Sequence, residues 1–470
     1  MRALHTITIF ALLLGLIPLL SGCVEPIEEE PEDSVLITSP EPNRTIIVGQ
    51  SLIMTWWGGP EDGLCRAEYT VEGEDQWQPL FVLEENDGTQ PITFPESLIE
   101  THVEGVYVEL RMSVGSILSD VVVLRVIADA HELPLLSAGQ QASVVYSGAQ
   151  PDAQAALDGA FNQSYSAGAD MYQLYFRWSE LEAENGTLDL DDFDSRLQTL
   201  ATANYTPYCV ISTIDTNTLQ LPAGFVSESN PNALKEGVDF DDQLLVQRYE
   251  FMLSQVVPQL VEAGCFFISV GNEVDIWLQA NPDQQEHFFH FVRRVRQHVS
   301  SIDSRMAVGV TFTDKIPVAL WTNSLIGECD AIAFTYYLTG EDGQVRDPAN
   351  VADHLDRMLS FVGADQFMLI QEAGCPSGYA TSNIGASEAI QRDFYANLMA
   401  EVKTRPRIRY LNAMHLGDYS AAQVTEFEAF YGLSEPGFVE FLSTLGMHHA
   451  DGTPKPAFQA WLDGVAALNQ

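Results

Sequence analysis

From Val35 to about Ala128, apolar and polar residues alternate in short runs, "SVLITSP", "TIIVGQSLIMTWW" and "GVYVELRMSVGSILSDVVVLRVI", with turn residues between them. A period of two sends successive side chains to opposite faces, so each run predicts a strand with one buried face, and the set predicts a β-sandwich. Beyond "ADAHELP" the rhythm changes. Apolar runs at 142–147, 171–176, 207–212, 265–270, 306–310, 331–337, 366–371 and 408–416 alternate with segments of helical periodicity. One of these, "DDQLLVQRYEFMLSQVVPQLVEAG", carries apolar residues at helical spacing and stops at Gly264. Eight strands with seven intervening helical segments, closed by "PAFQAWLDGVAAL", predict an α/β TIM (β/α)8 barrel over residues 139–470. The fold class is therefore multidomain, a small all-β sandwich over 35–128 followed by the barrel. The barrel region exceeds the ~250 residues such a fold usually needs, so its strand-to-helix loops must be long. Residues 213–240 form one of them.

The N-terminus adds a different element. An apolar run from Ile7 to Leu20 ends in Leu20-Ser21-Gly22-Cys23, too short to span a membrane comfortably and followed by small residues, as in a secretory signal. The last four residues resemble the lipobox of bacterial lipoproteins. That resemblance implies removal of residues 1–22 and lipidation of Cys23 as the mature N-terminus; the alternative is an ordinary signal in which Cys23 is incidental. Val at position 24, where Asp is absent, implies by the same resemblance passage to the outer membrane of a Gram-negative cell, facing the periplasm or the cell surface. Residues 23–34 then form an acidic tether, extended by charge repulsion and stiffened by proline.

Composition narrows the partners. Twenty-two Lys and Arg stand against 66 Asp and Glu, a formal charge of −44, and a nucleic-acid partner is excluded because phosphates need a basic surface. Only four lysines occur, Lys235, Lys315, Lys403 and Lys455, so the acidity is spread over the molecule and reads as a solubilising surface. Cys65, Cys209, Cys265, Cys329 and Cys375 show no metal-ligand spacing; they read as small hydrophobes in or near strands, with room for one bridged pair in an oxidising compartment. No metal or other cofactor is expected, and the protein is expected to be monomeric.

Candidate chemistry lies at strand ends. The run Phe266–Val270 leads straight into Gly271, Asn272 and Glu273, and "QFMLIQ" leads into Glu372, 99 residues on. Three βα units of ~31 residues would separate strands four and seven of a barrel by about that much. Both acids then stand at the carboxyl ends of strands, the face that carries catalysis in this fold. Two carboxyl groups facing one another are what glycoside hydrolysis needs, one to protonate the leaving oxygen and one to attack or to activate water.

Asn272-Glu273 and Glu372 also resemble the acid/base and the nucleophile of clan A, the superfamily of retaining glycoside hydrolases on (β/α)8 barrels. "RWSELEAENGTLDLDDFDSRLQTLATANYTPYCVIS", "CDAIAFTYY", "QEAGCPSG" and "DGTPKPAFQAW" are similar to that clan's strand-2 to strand-3 passage, its strand 6 in β-galactanases and β-mannanases, its nucleophile motif and its closing helix. The resemblance covers residues 139–470 and implies a β-linked carbohydrate substrate, with Glu273 protonated at rest and Glu372 ionised. It further implies that Asn272 bonds the sugar 2-hydroxyl, that Tyr337 bonds the nucleophile while Tyr336 packs outward, and that Arg177 fixes the Glu372 carboxylate. Trp277 and Trp178 are candidates for stacking on sugar faces, with packing as the other role open to Trp178. After strand 8, where the clan commonly has a tryptophan floor, "NAMHLGDY" offers His415 and Tyr419; strand 5 lacks the histidine many members carry. A surface protein that kept the barrel for carbohydrate binding or adhesion is the alternative. "ITSPEPNRTIIVGQSLIMTWW" looks like the opening of bacterial immunoglobulin-like modules, which implies a spacer, or a sugar platform if Trp56 and Trp57 were both available.

Overall fold

The computed structural model describes residues 34–127 and 140–468 apart from 41–44, 50–51, 61–62, 72–73, 75, 84–85, 87, 99–105, 147–152, 341–343, 364–365, 379–384, 433 and 435. The expected signal and Cys23 lie outside the described residues. Among those described, no helix is long and apolar enough to cross a membrane. The chain separates into two compact units.

The N-terminal unit consists of strands β1 (Val35–Ser39), β2 (Thr45–Ile47), β3 (Leu52–Gly58), β4 (Cys65–Val71), β5 (Gln78–Leu83), β6 (Thr89–Ile92), β7 (Val106–Val114), β8 (Ile117–Leu118) and β9 (Val122–Ile127). One sheet runs β1-β3-β6; the other runs β2-β9-β7-β4-β5, with β8 paired to β7. The alternation seen in the sequence is what builds the core. Val106, Val108, Leu110, Met112 and Val114 of β7 are buried while the residues between them are half-exposed, and they meet Val35, Ile37, Met54, Trp56 and Ile92 of the opposite sheet in one apolar cluster. The same rule divides the adjacent tryptophans. Trp56 is buried and donates its indole N–H to Asn86 Oδ1 at 2.7 Å, whereas Trp57 is 45% exposed. A two-tryptophan sugar platform is therefore not formed.

The C-terminal unit alternates strands with helices. Its strands are β10 (Gln141–Val144), β11 (Met171–Arg177), β12 (Thr206–Ser212), two loop hairpins made of β13 (Ile214–Asp215) with β14 (Thr218–Leu219) and β15 (Val226–Ser227) with β16 (Asn230–Leu234), then β17 (Phe267–Ser269), β18 (Ala307–Gly309), β19 (Thr311–Thr313), β20 (Ala331–Tyr337), β21 (Phe367–Gly374) and β22 (Ile408–Ala413). Two parallel sheets result, β11-β12-β17-β18 and β19-β20-β21-β22-β10. The apolar run at 306–310 forms β18, β19 follows it after Val310, and the two pair into different sheets. Helices such as Gln154–Ala167, Asp191–Ala203, Gln243–Glu262 and Glu388–Lys403 connect the strands. Asp242 caps the third of these through the backbone N–H groups of Leu244 and Leu245, satisfying donors that a helix start leaves open. Inward residues from both sheets form a single cluster, with Tyr208 of β12 stacked on Tyr410 of β22 at 4.4 Å between centroids. All five described cysteines are buried: Cys65 and Cys209 lie in strands, and Cys265, Cys329 and Cys375 lie just outside strand ends.

Candidate active site

The turn after β17 is built by Gly271, because a Cβ there would stand 2.5 Å from Val274 Cγ1. Asn272 N–H donates to the Ile214 carbonyl at 2.8 Å and Thr216 N–H donates to the Asn272 carbonyl at 2.9 Å. These bonds lock the turn to the β13–β14 hairpin. Glu273 follows in a left-handed conformation, φ 46° and ψ 43°, and Thr216 is also left-handed at φ 56°. Such angles cost about 1–3 kcal/mol each in residues other than glycine and persist only where the surroundings enforce them. Here the enforced geometry aims the two side chains at one another. The Thr216 hydroxyl donates to Glu273 Oε2 at 2.7 Å, and the Thr335 hydroxyl of β20 donates to Glu273 Oε1 at 2.6 Å.

Glu372 is delivered by a bulge. Phe334 pairs with Ile370 but Thr335 pairs with Glu372, which leaves Gln371 as the extra residue in β21 and re-aims the side chains around it. The Tyr337 hydroxyl donates to Glu372 Oε2 at 2.6 Å. Gly374 makes room for that tyrosine, since a Cβ at 374 would lie 2.9 Å from Tyr337 Cε1. Gln371, wholly buried, ties the two acids together from below. Its amide donates to Asn272 Oδ1 at 2.7 Å, while its oxygen accepts from Tyr208 at 2.9 Å and Thr311 at 2.6 Å. The residues immediately before Glu273 and Glu372 are thus hydrogen-bonded to each other across 99 residues of sequence.

The electrostatics follow from burial. Burial raises the Glu273 carboxyl above its ordinary value, with the Asp275 and Asp215 charges adding to it and the two threonine hydroxyls opposing. Burial also raises Glu372, with the Glu273 charge next and the Tyr337 hydroxyl opposing, and carries it up to about 8. Two largely buried acids that repel one another hold one proton between them near neutrality. At Glu372, burial and the Glu273 charge oppose the expected ionised form, and the Tyr337 hydroxyl favours it. Asp314, raised to about 7 chiefly by burial, adds a third acid whose charge state depends on the Glu273 and Asp275 charges.

Other expected residues are placed differently. Arg177 does not pair with Glu372: its guanidinium donates to Glu180 at 3.1 Å and lies over the Phe430 ring at 4.5 Å. Glu180 sits three residues on, in the helical turn that begins at Trp178, and so captures the cation locally. Trp277 is 3% exposed, donates its indole N–H to the Asn232 carbonyl at 3.1 Å and packs edge-on against Phe240, so it serves the core and not a sugar face. Trp178 is wholly buried against Phe225. Asn272 is nearly buried, its amide donating to Asp215 at 3.1 Å. His415 is wholly buried, Nδ1 against the Gly417 carbonyl at 2.6 Å and the ring on Tyr419 at 3.9 Å. Burial pushes its pKa down to about 3, so it is a neutral packing residue and not a sugar floor. Tyr336 shares a hydrogen bond with His354 at 2.8 Å on the outer side.

Thr216, Thr335, Asp215 and Gln371 were not anticipated. Thr335 was accessible to reasoning, because period two along β20 puts it on the same face as Tyr337. Thr216 carries no such signal; its place depends on a hairpin within a long loop. Among the described residues no group of three His, Cys, Asp or Glu side chains is arranged to hold a metal ion.

No protein-family model and no curated protein matches the sequence. Solved structures do match. An exo-β-1,4-mannosidase from Opitutaceae bacterium strain TAV5 has a TM-score of 0.52 at 13% identity, over 70% of this chain and 59% of its own. A GH5_18 from Bifidobacterium longum subsp. infantis has 0.52 at 13%, over 70% and 78%; a GH5_18 from Streptomyces cattleya, in complex with GlcNAc, has 0.52 at 15%, over 71% and 81%. Over about 70% of its length the chain is similar in fold to these glycoside hydrolases.

Proposed function

We propose that the chain is a retaining glycoside hydrolase acting on β-linked oligo- or polysaccharide, with the C-terminal unit closed as a (β/α)8 barrel and the N-terminal unit an immunoglobulin-like spacer. A lipid on Cys23 anchors it to the outer membrane. The observation that carries the reading is the carboxyl pair itself: Glu273 held by two hydroxyls and Glu372 by one, the two mutually repelling in buried surroundings. The single proton of the pair supplies the reactive state when it sits on Glu273. Glu273 then protonates the departing oxygen as the Glu372 carboxylate attacks the anomeric carbon, giving a glycosyl-enzyme ester; Glu273, now a base, takes a proton from the incoming water that cleaves it. Thr216 and Thr335 orient the acid, and Tyr337 orients the nucleophile.

Retention requires the carboxyl groups to stand about 5–5.5 Å apart, too near to admit a water between nucleophile and sugar. Proton NMR of the first product from aryl β-glycosides or oligosaccharides tests this, and an inverted anomer would refute it. A binding-only barrel is the second reading, favoured by the buried His415 where a sugar floor was expected. Absence of turnover across a polysaccharide panel, with binding retained, would select it.

A further inference from the structure

Residues 414–455 follow β22 and carry two helices, Ala421–Tyr431 and Pro436–Thr444. Their aromatic side chains reach the last residues of two strands, Tyr337 and Arg177, and Tyr419 within the segment itself. Phe441 packs edge-on against Tyr337 at 5.2 Å, Phe427 lies against Tyr419 at 4.9 Å, and Phe430 sits beneath the Arg177 guanidinium at 4.5 Å. Tyr337 holds Glu372, and the Glu372 charge also acts on Tyr419. The segment therefore caps the nucleophile side of the site.

The base of the cap is hydrogen-bonded to residues outside it. Ser377 N–H and its hydroxyl both donate to the Thr444 carbonyl at 2.9 Å, and the Thr444 hydroxyl donates to the Gly378 carbonyl at 2.9 Å. The buried Lys455 ammonium donates to Asp418 at 2.7 Å, Ser377 at 2.9 Å and the Gly446 carbonyl at 2.8 Å. Gln391 binds the carbonyls of Cys375, Leu445 and Gly446 through one amide nitrogen. A buried ion pair with this many further bonds holds its neighbours to one arrangement.

Glu273 has to face the glycosidic oxygen, so the leaving group lies on the Glu273 side and the sugar attacked by Glu372 lies towards Tyr337 and Tyr419. Phe441 packs on the first of these tyrosines and Phe427 on the second. We infer that the cap makes this subsite blind-ended, so that the enzyme removes one sugar at a time from the non-reducing end of a β-linked oligosaccharide. The inference rests on the hydrolase reading above.

The test compares paired substrates: β-1,4-linked manno-, gluco- and galacto-hexaose carrying a reducing-end fluorophore, each with its non-reducing terminus free or closed by a 4,6-O-ethylidene group. With the free substrate, the first labelled product should be the pentaose and the only unlabelled one a monosaccharide; the ethylidene group should slow turnover by at least ~100-fold, because a blind pocket cannot take the added bulk. Shorter labelled products at the earliest times, or equal rates on the two substrates, would overturn the pocket while leaving hydrolysis established. No turnover of either would overturn the hydrolase reading and the pocket with it. Phe441→Ala should recover at least ~10-fold of the lost rate on the blocked substrate; a folded variant with the block unchanged would overturn the cap as its cause.

Discussion

Tyr337→Phe removes one hydroxyl and leaves the ring, including its packing on Phe441. In the wild type that hydroxyl donates to Glu372 at 2.6 Å and opposes the burial and repulsion that carry the carboxyl to about 8. A hydrogen bond to a charged group contributes about 1.5–3 kcal/mol, and each pKa unit corresponds to ~1.4 kcal/mol, so the loss should raise Glu372 by about 1–2 units. The donor stabilises the ionised form, hence its removal favours the proton. Because the proposed mechanism needs Glu372 ionised, the acidic limb of the kcat/KM profile should move to higher pH by about 1–2 units, and activity at pH 7 should fall ~10–100-fold. Raising the pH should restore part of it. Tyr336→Phe is the control: its hydroxyl meets His354 on the outer side, so it should lower stability slightly and leave the limb in place. Initial rates on an aryl β-glycoside from pH 4 to 10 decide the matter. An unshifted limb in Tyr337→Phe, or the same shift in both variants, would refute the reasoning.

The folded protein binds a proton at Glu372 more tightly than the unfolded chain, so between the ordinary value of 4.5 and about 8 stability should fall as pH rises. Glu372→Gln should flatten that dependence and raise the neutral-pH Tm, by scanning fluorimetry, through on the order of a few kcal/mol; a variant with the wild-type slope would count against it. Lys455→Met should destabilise by about 3–5 kcal/mol in urea, since the Asp418 charge stays buried alone, and adding Asp418→Asn should recover a clear part. No recovery would mean that the ion pair is not what the lysine supplies. Cys23→Ser should move the protein from the membrane fraction to the soluble one, and an unchanged membrane pool would contradict the lipid anchor.

The strands of the C-terminal unit were legible because each is an apolar run bounded by turn residues, and the observed strands fall within a few residues of those runs. The second half of the fifth, Thr311–Thr313, was not, because it lies past the apolar run at 306–310 and two of its three residues are threonine. At the site, Glu273 and Glu372 could be picked out by strand-end position; alternation sends one of Tyr336 and Tyr337 inward, and the resemblance to clan A chose Tyr337. Arg177 could not be placed correctly: Glu180, three residues on, competes for the same cation at a distance that the helical turn sets. Trp277 and His415 were misjudged for a related reason, since residue type says that an aromatic ring could stack on sugar, whereas Phe240, Asn232 and Tyr419 decide whether its face is free. Thr216 depended on a hairpin that no periodicity announces.

The left-handed backbone at Glu273 and Thr216 has an evolutionary consequence. Glycine or asparagine would occupy those angles with less strain, so the native pair sits where drift could gain stability. A descendant freed from turnover would have the easiest route to a more stable fold through these two positions. Glu and Thr at those angles, joined by the hydrogen bond from the Thr216 hydroxyl to Glu273, therefore carry a cost in stability that glycine or asparagine would lower.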